Sequence, residues 1–253
     1  MSKTHAAVAG FETDADRYAR GRPDYPSEVA GWLRERLHLG PGKAAIDLGA
    51  GTGKFTKRLI ETGAATTAVE PAAAMRTKLG EINGLAVLEG SAEAIPLPDG
   101  SVDAIVCAQA FHWFATRTAL AEMARVLKPG GMLGLIWNSH DNSVPWVKAL
   151  DDAVSPHEGE APRFRTGKWR DVFPAPGFAP LHEEEFANSQ TGPAEQVVVD
   201  RMLSISFIAT LSQSERDHVA DKLRAIVAAE PSTAGRREIS IPYRSFAYSA
   251  VRL

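Results

Sequence analysis

Cysteine is almost absent from this sequence, since Cys107 is the only one among 253 residues. A single thiol excludes an internal disulfide and is typical of a protein in a reducing compartment. Long apolar runs are absent too: no stretch approaches the roughly 20 apolar residues of a membrane span, and the first ten residues lack the apolar run of a signal peptide. We therefore expect a cytoplasmic protein without a membrane segment.

An excess of positive charge is also missing. Lys and Arg number 28 and Asp and Glu number 31, so the formal net charge is −3. Because nucleic-acid binding depends on neutralising phosphate charge, we predict no nucleic-acid partner and interpret the basic stretch 163–170 as a solvated loop. The histidines at positions 140, 157, 182 and 218 form no metal-like cluster, so we predict no metal site. Nothing in the sequence indicates an oligomeric state.

Short apolar runs alternate with amphipathic stretches between residues 43 and 138. The apolar runs predict strands at 44–48, 66–69, 85–88, 102–107 and 132–137, and the stretches between them predict helices at 54–61, 72–80 and 117–127. A further helix, at about 27–39, precedes the first strand. Strands that alternate with helices form a parallel sheet with right-handed crossovers and helices on both faces.

The pattern changes after Asn138. A turn-rich, proline-containing segment is followed by a predicted strand at 181–190, helices at about 194–209 and 214–229, and a terminal strand or hairpin at 238–251. The second helix begins at a capping signal, Ser212 to Glu215. We predict one domain over 1–253, an α/β fold with a doubly wound, seven-stranded, mostly parallel sheet. Its parts are an N-terminal arm and helix (1–42), a core (43–138) and closing strands with a helical insertion (139–253).

A glycine-rich loop lies between the first predicted strand and the next helix, with glycines at positions 49, 51 and 53. Such glycines let the backbone turn tightly and let a ligand approach the main chain. Lys54 stands where a dinucleotide-binding fingerprint has a third glycine or alanine, and the sequence after Gly53 does not fit a phosphate loop. The next strand ends at Glu70, where an acid can bind both hydroxyls of a ribose.

Five segments, taken in order, resemble the motifs of class I S-adenosylmethionine-dependent methyltransferases: 47–53, 69–71, 90–96, 102–114 and 125–131. The type-11 small-molecule branch is the most similar wide group, and residues 18–26 and 109–114 resemble its trans-aconitate-type subgroup. The resemblance covers about residues 43–138. It implies a Rossmann-like methyltransferase fold, S-adenosylmethionine as cofactor, S-adenosylhomocysteine as product, and a small-molecule methyl acceptor.

The resemblance also implies roles for individual residues. The loop of Gly49, Ala50, Gly51, Thr52 and Gly53 would pass under the methionine part of the cofactor, and Asp47 would order that loop and face the amino group. Glu70 would bind the ribose. The adenine would meet Ala92 and Glu93 beside Ser91, where many relatives have Asp, and Gln109 and Ala110 would flank the methionine and the acceptor. Independently of the resemblance, Asp47, Glu70, Ser91, Gln109 and Asn138 all lie at the carboxyl ends of predicted parallel strands, the edge where ligands bind.

Several residues are candidates for binding the methyl acceptor. His112 could orient an acceptor carboxylate or hydroxyl, could remove its proton, or could be packed among aromatics for structural reasons. The other acceptor-binding candidates are Tyr18, Arg22, Trp113, Trp137, Ser204 and Phe207, with 202–208 either roofing the acceptor pocket or merely covering core. The predicted function is methyl transfer to a small molecule. A non-catalytic protein that binds the cofactor, or a nicotinamide-dependent oxidoreductase, remains an alternative.

Overall fold

A computed structural model of the chain describes residues 21–159 and 161–253. The strands are β1 (Ala44–Leu48), β2 (Ala65–Val69), β3 (Ala86–Leu88), β4 (Val102–Ala108), β5 (Leu127–His140), β6 (His182–Gly192) and β7 (Ile239–Val251). The α-helices are α1 (Glu28–Gly31), α2 (Lys54–Ile60), α3 (Ala73–Leu79), α4 (Arg117–Val126), α5 (Pro145–Val154), α6 (Arg201–Leu203), α7 (Ser206–Ala209) and α8 (Gln213–Ala229). π-Helical turns at Trp32–Arg36 and Glu195–Asp200 continue α1 and precede α6. Among the helices described, none has the length and hydropathy that crossing a membrane requires.

The strands form one seven-stranded sheet in the order β3-β2-β1-β4-β5-β7-β6. The contacts β1–β2, β2–β3, β1–β4 and β4–β5 are parallel. Backbone hydrogen bonds join Gly130 to Arg252 near one end of β5 and Asp141 to Pro242 near the other, so β7 is antiparallel to β5. Phe178, which precedes β6, forms an antiparallel bridge with Arg252 just after β7. Thr191 near the end of β6 bonds Ser240 near the start of β7, so β6 is antiparallel to β7. The predicted fold class, a mostly parallel sheet with an antiparallel closing strand, is confirmed.

The chain divides into two compact units. The larger unit contains Ser27–Trp137, Pro162–Phe186 and Phe246–Leu253. Its core is built from the apolar strands β1, β4 and β5 and from an aromatic group, and the fully buried members include Ile46, Ile105, Leu135 and Trp137. Strands of a parallel sheet are covered on both faces, which explains their near-continuous apolar runs.

The smaller unit contains Asn138–Ala161, Ala187–Ser245 and the described residues up to Pro26. Its core joins α5 and α8 to the residues around α6 and to the first half of β7, through side chains such as Val147, Leu223 and Ile241. Helix α8 begins with the predicted capping box, because the Ser212 side chain bonds the Glu215 backbone and the Glu215 side chain bonds the Ser212 backbone.

Two of the predicted elements are wrong in this smaller unit. The turn-rich segment contains a helix, α5, that begins at Pro145, a position where proline is favoured because the first turn needs no backbone donor. The continuous helix predicted over 194–209 is broken at the buried Ile205, whose backbone is extended. The Ser204 hydroxyl donates to the Arg201 carbonyl at 2.7 Å and so satisfies an acceptor at that helix end.

Strand β5 begins five residues earlier than predicted. Val102 pairs with Leu127, and two residues further along β4 Ala104 pairs with Met132. The intervening Lys-Pro-Gly-Gly segment therefore bulges from the ladder, which conceals the start of the strand from an apolar pattern.

Candidate active site

The glycine loop follows β1 in the larger unit, and its glycines meet different surroundings. All three have positive φ angles, 73° at Gly49, 56° at Gly51 and 83° at Gly53. A Cβ on Gly49 would lie 2.9 Å from the Ala110 Cβ, and one on Gly53 would lie 2.6 Å from the Ile82 Cδ1. A Cβ on Gly51 would meet no atom within 4 Å. The loop is thus packed tightly at both ends and open at its centre, where a ligand can approach the main chain.

Asp47 lies in β1, below this loop, and is fully buried. Its Oδ2 accepts a hydrogen bond from the Thr56 hydroxyl at 2.6 Å, whereas its Oδ1 has no hydrogen-bond partner among the described residues. Burial raises the pKa of Asp47 to about 7, against the Thr56 hydrogen bond, and the negative charge of Glu70 raises it further. A buried carboxylate oxygen without a partner is a strong acceptor for a cation or a donor group.

Glu70 comes directly after β2 and is 7% exposed. Its Oε2 accepts from the Gly51 backbone N–H and its Oε1 from the Ala72 backbone N–H, both at 2.9 Å. Burial raises the pKa of this carboxyl, while the two backbone hydrogen bonds and the charge of Arg76 oppose the rise. Each carboxylate oxygen keeps further lone pairs, so a carboxylate oriented in this way can still accept hydroxyl donors from a ligand.

The segment after β3 forms a tight turn. Ser91 and Ala94 are joined by a pair of backbone hydrogen bonds, at 3.3 and 3.2 Å. Within the turn Ala92 is buried and Glu93 is exposed. The turn is held from behind, since the Ile95 N–H donates to the Glu122 carboxylate at 2.8 Å. The three residues predicted to meet the adenine therefore occupy one fixed turn in the larger unit.

Gln109 comes directly after β4 and has a φ angle of 57°. Positive φ is uncommon outside glycine, and residues held there cluster at functional sites. The Gln109 N–H donates to the Ile136 carbonyl at 2.8 Å, which secures this conformation. The next residue, Ala110, is the one that packs against Gly49, so the end of β4 and the glycine loop are in contact.

His112 lies in a short 3₁₀ turn, Phe111–Trp113, that follows Ala110. Its Nδ1 accepts a hydrogen bond from the indole N–H of Trp137 at 3.0 Å. The ring of Trp113 lies 5.3 Å from the His112 ring. Trp137 itself is fully buried, so its predicted role at the acceptor would be exerted through His112.

The remaining candidates belong to the smaller unit or lie outside the described residues. Arg22 is half-buried, and its charge acts on Tyr243. Ser204 and Phe207 are half-buried at the break between α6 and α7. Asn138, predicted to lie at a strand end, also belongs to this unit, where its side chain bonds Asp24, Asn188 and Ser245. Tyr18 lies outside the described residues.

A polar cluster in the smaller unit was missed by sequence reasoning. His140 Nδ1 contacts the Asp151 carboxylate at 2.7 Å, and His140 Nε2 contacts the Tyr243 hydroxyl at 2.9 Å. Arg201, 8% exposed, has no hydrogen-bond partner for its Nε and Nη1 among the described residues. The charged pair Asp200 and Arg201, inside the otherwise apolar stretch 197–203, is a sequence signal that points to this cluster. No sequence signal links His140 to Tyr243, because they are 103 positions apart.

The glycine loop, the buried acid after β2 and the strained residue after β4 together define a class: an α/β protein with a ligand-binding edge at its parallel strand ends. Comparison with known proteins narrows the class. The family described as a methyltransferase domain matches residues 46–135. An uncharacterized methyltransferase-like protein of Schizosaccharomyces pombe is 37% identical over 245 residues, which cover 95% of this chain and 94% of that protein.

Two further comparisons agree. An uncharacterized methyltransferase of Mycobacterium tuberculosis is 37% identical over 236 residues, covering 92% of this chain and 91% of the relative. The solved structure of a protein assigned as a type II methyltransferase, from Anaeromyxobacter dehalogenans, is 25% identical with a TM-score of 0.60, covering 91% and 96% of the two chains. The chain belongs to the S-adenosylmethionine-dependent methyltransferases.

Proposed function

We propose that this enzyme transfers the methyl group of S-adenosylmethionine to a small-molecule acceptor, and that the cofactor binds at the ends of β1, β2 and β4 in the larger unit. The observation that carries the proposal is the Glu70 carboxylate, which two backbone N–H groups hold beside the open centre of the glycine loop. A carboxylate in that position suits the adjacent hydroxyls of a ribose. When bound, the cofactor supplies an activated methyl group on a sulfonium.

The chemistry of Asp47 also fits this cofactor. Its buried Oδ1 has no partner among the described residues, and a positively charged amino group would supply one. The raised pKa of Asp47 has burial as its first cause, and a cation would remove much of the cost of ionising the carboxyl. Asp47 would thus bind the amino group of the methionine part, directly or through water, while Thr56 holds the other carboxylate oxygen.

The protein's own contribution to the reaction is alignment and exclusion of water. Gln109 and Ala110 would sit beside the reacting groups, because Ala110 contacts the glycine loop. No covalent nucleophile of the enzyme is required. A general base is needed only if the acceptor must lose a proton, and a carboxylate acceptor is already ionised near neutral pH.

The acceptor itself is proposed only as a class. The resemblance of 109–114 to the trans-aconitate-type subgroup favours a small carboxylic acid, and the names of the two relatives described above specify no acceptor. The candidates for acceptor binding remain His112, Trp113 and Trp137 in the larger unit, and Arg22, Ser204 and Phe207 in the smaller unit. Transfer of labelled methyl to a panel of small carboxylic acids, hydroxy acids and amines would identify the acceptor atom.

Glu70→Ala tests the cofactor site. Hydrogen bonds to a charged group contribute about 1.5–3 kcal/mol each, so loss of the ribose pair should weaken binding of S-adenosylhomocysteine by about a hundredfold or more. Titration calorimetry on the folded variant measures this change. Glu61→Ala removes an exposed carboxylate that pairs with Arg58 and should leave the affinity unchanged.

Three results would count against the proposed function. An unchanged dissociation constant in folded Glu70→Ala would remove Glu70 from the site. Tight binding of NAD without binding of S-adenosylhomocysteine would favour a nicotinamide-dependent oxidoreductase. Lys54 argues against that alternative, because it occupies the position of a glycine or alanine in the dinucleotide-binding fingerprint. Cofactor binding without methyl transfer to any member of the panel would favour the non-catalytic alternative.

A further inference from the structure

The hydrogen bond between Trp137 and His112 determines which histidine nitrogen carries the proton. An indole N–H can only donate, and the Trp137 Nε1 lies 3.0 Å from the His112 Nδ1. Nδ1 must therefore be the acceptor in this pair. A neutral imidazole has one acceptor and one donor nitrogen, so the proton of His112 resides on Nε2.

Packing keeps the donor in this orientation. The Trp137 side chain is fully buried and stacks on Phe164, with ring centroids 4.8 Å apart and planes inclined by 22°. A second indole, Trp169, lies 4.7 Å from Trp137 on centroids. Because an aromatic ring packed against two others cannot turn freely, the indole N–H stays directed at His112.

His112 is also held close to the glycine loop. It lies in the turn Phe111–Trp113, which begins directly after Ala110 and is followed by Phe114. A Cβ on Gly49 would lie 2.9 Å from the Ala110 Cβ and 3.4 Å from the Phe114 ring. The residues on both sides of this turn therefore contact the loop assigned above to the methionine part of the cofactor.

We propose that His112 is a neutral Nε2–H hydrogen-bond donor to the methyl acceptor, and that Trp137 is the positioning residue that selects this tautomer. The inference rests on the proposed function and separates two roles that the sequence left open, because a nitrogen that already carries a proton cannot remove one. A methyl acceptor that receives this hydrogen bond must have a lone pair that can attack without removal of a proton. A carboxylate meets this condition.

The reaction of a carboxylate with this arrangement balances without proton transfer. One acceptor oxygen forms a bond to the methyl carbon as the carbon–sulfur bond breaks, and the electron pair goes to sulfur. The second oxygen accepts the hydrogen bond from Nε2. The products are a neutral methyl ester and a neutral thioether, and His112 ends with the proton it had at the start.

Nitrogen NMR of the full-length chain labelled with ¹⁵N-histidine tests the tautomer. The signal that disappears in His112→Gln identifies His112 among the seven histidines. We expect the Nε2–H tautomer in the wild type near neutral pH, with and without S-adenosylhomocysteine. Trp137→Phe keeps an aromatic ring but removes the donor, and should shift His112 toward a mixture of tautomers.

Trp169→Phe is the matched control. It removes a neighbouring buried indole whose N–H donates to the Phe164 carbonyl at 3.2 Å, so the His112 signals should keep their wild-type pattern. An Nδ1–H tautomer or a doubly protonated ring in the wild type would overturn the proposal. So would a tautomer that Trp137→Phe and Trp169→Phe change equally.

Turnover measurements show whether His112 acts as a hydrogen-bond donor or as a base. The substrate is a member of the panel that the wild type methylates. The amide of His112→Gln can replace the Nε2–H donor, and we expect it to retain activity within about tenfold of wild type. His112→Phe should lose more than Gln does, mainly through a higher KM. If Gln and Phe lose activity equally, by about a hundredfold or more, His112 acts as a base and the proposal is wrong.

The two proposals fail in different ways. If no panel member is methylated and S-adenosylhomocysteine does not bind, the proposed function is wrong, while the wild-type tautomer and its response to Trp137→Phe are still measured. If methyl transfer proceeds but His112 carries its proton on Nδ1, the function stands and only the role of His112 is overturned.

Discussion

Asp47 in the larger unit and Asp151 in the smaller unit have opposite electrostatic surroundings. Asp47 in the larger unit has one hydroxyl partner and an oxygen without a partner among the described residues, and burial raises its pKa to about 7. Asp151 in the smaller unit is half-buried, and this partial burial by itself raises its pKa. Its hydrogen bonds with His140 and Asn142, and the charges of His140 and Arg201, bring that pKa down to about 2.

The difference between the two carboxyls lies in their partners. A carboxyl whose oxygens are all satisfied within the protein indicates a structural cluster, whereas one with an unsatisfied oxygen indicates a binding site. Both carboxyls lose hydration, and a buried charge is tolerated when a partner replaces the lost water. Asp151 finds partners for both carboxylate oxygens within its own unit, His140 for Oδ1 and Asn142 for Oδ2, so this carboxylate is satisfied without a ligand. Asp47 has a partner for Oδ2 only, and we therefore assign the cost of its burial to ligand binding and the pairing of Asp151 to stability.

The largest effect at a single pH is expected for Asp151→Asn. Removing one partner of a buried ionic group leaves the other uncompensated, and we expect the free energy of unfolding to fall by about 3 kcal/mol. Urea unfolding near neutral pH measures it. Asp152→Asn is a matched control, because Asp152 is the exposed neighbour that pairs with Lys148 on the surface and should change stability by about 0.5 kcal/mol or less. Equal effects of the two substitutions would contradict a structural role for the cluster.

The wild-type Asp151 also predicts a loss of stability in acid. Its folded pKa, about 2, lies below the ordinary value of 3.8, so its contribution to stability is present above about pH 4 and is lost as pH falls toward 2. Asp151→Asn should remove this part of the acid sensitivity. A variant with the same dependence of stability on pH over this range would show that Asp151 is not paired as described.

Asp47→Asn should have the opposite signature. The folded pKa of Asp47, about 7, lies above the ordinary value of 3.8, so the wild type loses stability as pH rises from about 4 to 7. The stability of the variant relative to wild type should therefore increase over that range by up to about 1.4 kcal/mol per pH unit. Urea unfolding at several pH values measures the trend.

The same substitution should weaken the binding of S-adenosylhomocysteine near neutral pH, because the ligand's amino group would lose its anionic partner. Asp99→Asn, at an exposed position that pairs with Arg125, should show neither effect. A variant that parallels the wild type at all pH values and binds the ligand equally well would contradict the contrast between the two aspartates.

The smallest effect concerns the segment proposed to contact the acceptor. Phe207→Ala and Ser204→Ala should reduce acceptor turnover by about three- to tenfold, equivalent to about 1 kcal/mol, and leave S-adenosylhomocysteine affinity near wild type. Thr210→Ala removes an exposed hydroxyl that donates to the Phe207 carbonyl and serves as a control in the same segment. Normal turnover, or weak cofactor binding, in both test variants would remove the segment from the acceptor site.

Local patterns predicted much of the larger unit. The strands β1, β2 and β4 and the helices α2, α3 and α4 lie within a residue or two of their predicted positions, because apolar runs and helical periodicity reflect burial directly. The capping box at Ser212 was equally readable, since both partners lie within one turn. Helix α5 was missed because Pro145 was interpreted as part of a turn, although a proline in the first turn is compatible with a helix.

What the sequence determined by itself is the order of elements and the set of chemical groups at the strand ends, because the glycine spacing and the acid after β2 depend on neighbours in the chain. Tertiary structure alone decided how those groups are used. Trp137 becomes the donor to His112 only when β5 passes beside the turn after β4. Likewise, the negative charge of Asp151 is compensated by neighbours and that of Asp47 is not, because hydrogen bonds and charges act over a few ångströms in space, whatever the separation along the chain.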